Sequence, residues 1–164
     1  MTRHRISVRH SAVSPGDRLP VAVIKQSIRT ALELEGMKAP CEVNMLITDD
    51  KSIKSLNRDF RGVNCATDVL SFPMHEFDPT GGLQAENIEN DPETGLLALG
   101  DIVMSARQVI KQAAENNQTI KRETSYLTVH SVLHLLGYDH TDEAEGKKLM
   151  RNREKEIMSV IDSK

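Results

Sequence analysis

Three of the chain's six histidines fall within one stretch of eleven residues, His130-Ser131-Val132-Leu133-His134-Leu135-Leu136-Gly137-Tyr138-Asp139-His140. His130 and His134 are four residues apart, so on a helix their rings leave the same face. Gly137 can take a positive φ, end that helix and turn the chain back. The turn lets His140 approach the same point from a third direction. Three neutral imidazoles about 2.0–2.1 Å from a zinc ion leave a fourth position for water. An open position is what separates a catalytic site from a closed structural one, and bound zinc brings the pKa of such a water to about 7. The competing explanation is packing. One histidine on an apolar helix is ordinarily a satisfied core residue, and two at this spacing can be accidental. Three, joined by a helix-stopping glycine in an apolar stretch, are harder to explain so, because burying unpartnered imidazoles is costly. The expectation is one metal per chain, held by His130, His134 and His140. Zinc suits three imidazoles, although nickel, copper or iron would accept them too.

The spacing HxxxHxxGxxH is also that of the metzincin metalloproteases, which require Glu after the first histidine as general base. Here that position is Ser131, and a serine cannot do a carboxylate's proton work. The metal cage is kept and the peptidase's base is absent. Other polar candidates are weaker. Asp68 and Asp101 are expected to cap, to bond backbone or to orient a ligand histidine, with the structural role favoured. Asp139 is a second support for the site or a turn former. His4, His10 and His75 lie outside the motif and are taken as ordinary.

The elements that must position these residues can be read from periodicity. Residues 4–10 alternate and read as a strand. Pro20 opens a helix whose stripe is Val21, Ile24, Ile28, Ala31 and Leu32, stopped by Gly36. Residues 41–48 alternate as a second strand. Asp49 or Asp50 caps a short helix with Ile53, Leu56 and Phe60 as its apolar side. Val69 to Phe72 form a strand ended by Pro73, and Leu96 to Met104 a buried one. Ser105 with Gln108 has the form of a capping box and opens a helix toward Asn117. Tyr126 to Leu136 is the apolar helix that carries the first two histidines. Residues 142–161 form a last helix, with Leu149, Met150, Ile157, Met158 and Ile161 buried. Residues 75–95 hold six acidic residues, no Lys or Arg, two Pro and three Gly. They read as an exposed, mobile loop. The fold expected is α+β: a single domain spanning 1–164, with strands and helices interleaved and no internal repeat.

Bulk properties exclude several classes. A chain of 164 residues is one ordinary domain, able to bury roughly 70% of its unfolded surface without disulfide staples. With aromatic content at 3% and no Trp, the core must be aliphatic. A net charge of −3 is not that of a DNA-coating protein, yet it allows one local basic face for RNA. Cys41 and Cys65 form no CxxC pair and read as buried, reduced thiols. There is no secretory h-region and no apolar run of membrane length, so a cytoplasmic protein is expected.

Taken together, HSVLHLLGYDH, the block Leu56-Asn57-Arg58-Asp59-Phe60-Arg61-Gly62 followed by Thr67-Asp68-Val69-Leu70-Ser71-Phe72-Pro73, and Leu99-Gly100-Asp101-Ile102-Val103-Met104-Ser105 resemble the YbeY family. The resemblance covers roughly residues 41–145, and that family carries Gly or Ser after the first histidine. It implies a mixed sheet of about four strands packed with helices, including a zincin-like His-bearing helix. It implies a single-strand-specific endoribonuclease that matures small-subunit rRNA, notably its 3′ end, and serves ribosome quality control. Single-stranded RNA, the small ribosomal subunit and assembly proteins would be its partners, with no DNA and no membrane. It also makes Arg61 the key residue outside the metal. A guanidinium is a planar fork for phosphate oxygens and suits a phosphorane-like transition state. The 75–95 loop looks longer than usual for the family, so substrate access could differ here.

Two other functions stay open on the residues alone. One is a metal hydrolase of a non-nucleic substrate, such as a peptide or small ester. The other is a non-enzymatic ribosome-assembly factor with structural zinc. A metal with an open position counts against the second. A basic rim drawn from Arg58, Arg61, Lys121, Arg122, Lys147 and Lys148 would count against the first, but the sequence does not show that these residues converge.

Overall fold

The computed structural model describes residues 2–75, 90–138 and 144–164. Its sheet is built from the alternating segments. The strands are β1 (Arg5–His10), β2 (Cys41–Thr48), β3 (Val69–Pro73) and β4 (Leu97–Ser105), in the spatial order β1-β2-β4-β3. β1, β2 and β4 are mutually parallel, and β3 runs antiparallel to β4. The sheet is therefore mixed, with β3 as one edge.

Period-two alternation sends the two halves of each strand to different layers. Cys41, Val43, Met45 and Ile47 of β2, with Leu97, Leu99, Ile102 and Met104 of β4, enter the main core. There they meet α1 (Val21–Leu34), α4 (Ile120–Leu135) and α5 (Ala144–Asp162), while α3 (Ala106–Glu115) adds Ala106 and Val109. Full burial of each large aliphatic side chain in such a core stabilises by about 1.5–3 kcal/mol. The opposite face carries a smaller cluster of Ile53, Leu70 and Val103, covered by α2 (Asp50–Arg61). The histidine helix and the Arg61 helix thus lie on opposite faces, and they can meet only around the β3 edge.

Local chemistry sets the element ends. Asp49 caps α2 by accepting the Ser52 N–H at 2.9 Å, and Gly62 ends it at φ 71°, a conformation that favours glycine. Gly100 (φ 144°) follows a register shift opposite Glu42/Val43. A Cβ there would lie 2.3 Å from the Phe72 carbonyl oxygen and 3.0 Å from Leu135 Cδ2. Only glycine lets β4 pass this close beneath β3 and the end of α4.

The structure departs from the sequence reading at five points. α4 begins at Ile120 rather than Tyr126, capped by Thr119 accepting the Arg122 N–H. Its first turns are polar in sequence, yet Glu123, Thr124 and Ser125 are buried. The Ser105 cap is half a capping box: its hydroxyl accepts the Gln108 N–H, while the Gln108 side chain reaches Asp50 instead. Phe60 is 67% exposed, with Asn57 buried on that helix instead. Leu149 is likewise exposed, and Glu154 is buried on α5. Cys65 is exposed, although Cys41 is fully buried. Most of the acidic 75–95 segment lies outside the described residues.

Candidate metal centre

α4 is enclosed on nearly every side. Thr124, Thr128 and Ser131 each donate a hydroxyl to the carbonyl four residues back, at 2.7 Å, so polar side chains tolerate burial. From 122 to 135 only Arg122, Tyr126, His130 and His134 keep partial exposure. Their spacing of four makes one straight stripe along the helix.

At the end of that stripe the two imidazoles converge, with their Nε2 atoms 3.1 Å apart. Each ring is held from behind by an acceptor. His130 Nδ1–H donates to Glu154 Oε1 at 2.7 Å, and His134 Nδ1–H donates to the Tyr138 carbonyl at 2.9 Å. Carboxylate and carbonyl oxygens only accept, so each Nδ1 is the donor, and a ring in its neutral form then presents the Nε2 lone pair inward. Two nitrogens at two corners of a zinc tetrahedron would be roughly 3.3 Å apart. The donor set, tautomer and spacing therefore fit a metal ion. Among the described residues no group of three His, Cys, Asp or Glu side chains closes a site. Asp139 and His140 lie outside the described residues.

The supports behind the rings come from consecutive residues of α5. The Glu154 side chain is 10% exposed, and its second oxygen accepts the Tyr126 hydroxyl at 2.8 Å. Burial alone would raise its pKa. The hydrogen bonds from His130 and Tyr126 outweigh burial and hold it below the usual carboxylate range. Burial, and then the bond to Glu154, push Tyr126 up to about 12, so it stays a donor at neutral pH. Arg153 reaches the other ring indirectly. Its guanidinium donates to Glu35 at 2.6–2.7 Å and to the Leu34 carbonyl at 3.0 Å. Glu35 accepts the Tyr138 hydroxyl at 2.6 Å, and the Tyr138 carbonyl is the acceptor that orients His134. The end of α1 and the middle of α5 thus grip the turn after the histidine helix. The sequence reading missed Glu35, Arg153 and Glu154. Glu154 had a signal: it falls in the series 150, 154, 157 and 158, the buried stripe of α5.

A cleft of about 890 Å³ opens beside the imidazoles along the β3 edge. Val69–Pro73 form its floor, Phe60 and Arg61 enter from α2, and His130, His134, Gly137 and Tyr138 enter from the other face. Arg61 is exposed and makes no ion pair among the described residues. The remaining sequence candidates fall elsewhere. Asp68 lines the cleft but is committed to the Val69 N–H, the Thr67 hydroxyl and Gln112. Asp101 accepts from Asn44 at 3.3 Å. His4 and His10 each accept a backbone N–H, from Cys41 and Leu19, and His75 contacts the Ala98 carbonyl. Of the six basic residues considered for a rim, only Arg61 lines this cleft; Arg122 pairs with Asp162 instead. Ser131 is fully buried and does not line the cleft.

Comparison with known proteins agrees with this architecture. The sequence pattern of the family described as Endoribonuclease YbeY matches residues 13–162. A protein named Endoribonuclease YbeY from Thermoanaerobacter sp. (strain X514) is 43% identical over 139 residues, which is 85% of this chain and 86% of that one. Another of that name, from Clostridium botulinum (strain Loch Maree / Type A3), is 44% identical over 140 residues, 82% and 84% of the two chains. The solution structure of TM1509 from Thermotoga maritima superimposes with a TM-score of 0.57 at 28% identity, covering 92% of this chain and 86% of that one. No described helix is long and apolar enough to cross a membrane. With a match running through nearly the whole chain and relatives this similar, the chain belongs to the YbeY endoribonuclease family.

Proposed function

We propose that this protein is a cytoplasmic, metal-dependent, single-strand-specific endoribonuclease that matures the 3′ end of small-subunit rRNA and takes part in ribosome quality control. The observation that carries the reading is the braced imidazole pair opening into the same cleft as Arg61. One zinc ion would be held by His130, His134 and His140 on a zincin-like helix. When bound, it would supply Lewis acidity and bring the pKa of a coordinated water toward about 7. The chain's own residues do the rest. Glu154 and the Tyr138 carbonyl keep each Nδ1 protonated, so each Nε2 stays a ligand. Arg61 stands across the cleft without an ion pair among the described residues; its fork suits two phosphate oxygens, where it stabilises charge that builds up as the phosphodiester is attacked.

Ser131 speaks against a peptidase, because it is buried and its hydroxyl is spent on the Leu127 carbonyl. The functional partners in this reading are single-stranded rRNA, the small ribosomal subunit and its assembly proteins. The test is a small-subunit rRNA precursor incubated with zinc-loaded protein, free and within isolated subunits, beside a His134→Ala control. Shortening at the 3′ end by the wild type alone supports the reading. An unchanged precursor in both settings overturns it.

A further inference from the structure

Phe60 is the most exposed large apolar residue of the described chain, at 67%, and it lines the cleft immediately before Arg61. We propose that Phe60 is a stacking platform for one base of a single-stranded RNA whose phosphate is held by Arg61. The inference rests on the ribonuclease reading above and adds to it the residue that selects unpaired bases.

The ring has an aromatic neighbour. Phe72, on the β3 floor, meets it edge-to-face, with centroids 5.2 Å apart and planes at 70°. An edge contact of this kind holds a ring while leaving a face open. The chain has no Trp and only three Phe, yet two of them meet at this cleft. The surroundings argue for a nucleotide rather than a protein. Charged Arg58, Asp59 and Arg61 flank Phe60 along the end of α2, and all three are exposed. A stable dimer needs roughly 800 Å² of well-packed surface on each partner, which one exposed ring flanked by charged residues along its helix does not offer. A base on Phe60 and a phosphate on Arg61 would use adjacent side chains at the end of one helix. A base paired in a duplex has its faces covered by its neighbours, so only an unstacked base can use the platform. Stacking on a ring is also tolerant of sequence, because every base has a π-face.

The experiment is an abasic scan. A single-stranded RNA oligonucleotide is made with one abasic residue moved stepwise past the cleaved bond, and KM and kcat are measured with zinc-loaded wild type, Phe60→Ala, Phe60→Leu and Phe60→Trp. In the wild type, one abasic position should raise KM by about 5- to 150-fold, the range for loss of one stacked base. Phe60→Ala should raise KM for intact RNA similarly, and the same abasic position should then cost nothing more. Phe60→Leu should resemble alanine, whereas Phe60→Trp should keep the wild-type pattern. Since the side chain is largely exposed, these variants leave the core intact. If Phe60→Ala cleaves intact RNA with wild-type KM, or if every abasic penalty persists in it, the platform is refuted while the ribonuclease reading stands. If the wild type cleaves no RNA, both fall.

Discussion

Removing the carboxylate behind His130 should weaken metal binding without dissolving the fold. In Glu154→Ala the His130 ring loses the acceptor at 2.7 Å that fixes its proton on Nδ1, and Tyr126 loses its partner at 2.8 Å. His130 can then carry its proton on Nε2, the nitrogen proposed to hold the metal. Loss of such a supporting contact typically costs 10- to 100-fold in metal affinity, or about 1.4–2.7 kcal/mol. Glu154→Gln should fall between, because an amide oxygen still accepts from Nδ1 but brings no charge. The assay is competition for zinc against a chromogenic chelator at pH 7, with circular dichroism of the same samples. A shift below twofold in Glu154→Ala, with helicity unchanged, would refute the claim that Glu154 sets the tautomer. Helicity lost with the metal would mean that the residue holds α5 against α4 and nothing more.

Other consequences can be checked alongside. Arg61→Ala should retain metal and fold but lose about 100- to 1,000-fold in RNA cleavage, and Arg61→Lys should recover little of it. Gly100→Ala should destabilise the protein by about 1–3 kcal/mol in denaturant unfolding, because the added Cβ meets the Phe72 carbonyl at 2.3 Å. His4 is kept neutral, chiefly by burial, and its pKa is lowered below 6.5. Its contribution to stability is therefore complete above the unfolded value and is lost as pH falls through 6.5 toward the folded one. Wild type should accordingly lose more stability than His4→Gln between pH 7 and pH 5, as read by urea titration. Pure zinc-loaded protein should leave unstructured peptides uncut, and metal-dependent peptide cleavage would show that Ser131 has been over-read.

Periodicity made the strands and most helices legible. The alternation of Cys41, Val43, Met45 and Ile47 gave β2 its observed bounds, because a half-buried strand writes its pattern directly into the sequence. α4 hid its start because burial there is satisfied by hydroxyls bonding backward, as Thr124 does to Ile120, and a helix enclosed on nearly every side has little amphipathic signature. Phe60 keeps its place on the Ile53–Leu56 stripe, but membership of an apolar stripe does not say how much of it is covered, and at Phe60 the stripe has run into the cleft. The histidine pair was visible because i,i+4 spacing is local. The brace formed by Glu35, Arg153 and Tyr138 joins positions more than one hundred residues apart, and no local pattern announces it. Arg61 came from family resemblance, since a lone arginine beside a glycine is otherwise an ordinary helix end.

The most direct test measures metal content and RNA cleavage on the same preparations of wild type, Arg61→Ala and His134→Ala, with one single-stranded RNA and its duplex. The account predicts close to one zinc per chain and single-strand cleavage for the wild type. It predicts zinc without cleavage for Arg61→Ala, and loss of both for His134→Ala. Cleavage at the wild-type rate by zinc-free His134→Ala, or by Arg61→Ala, would contradict it.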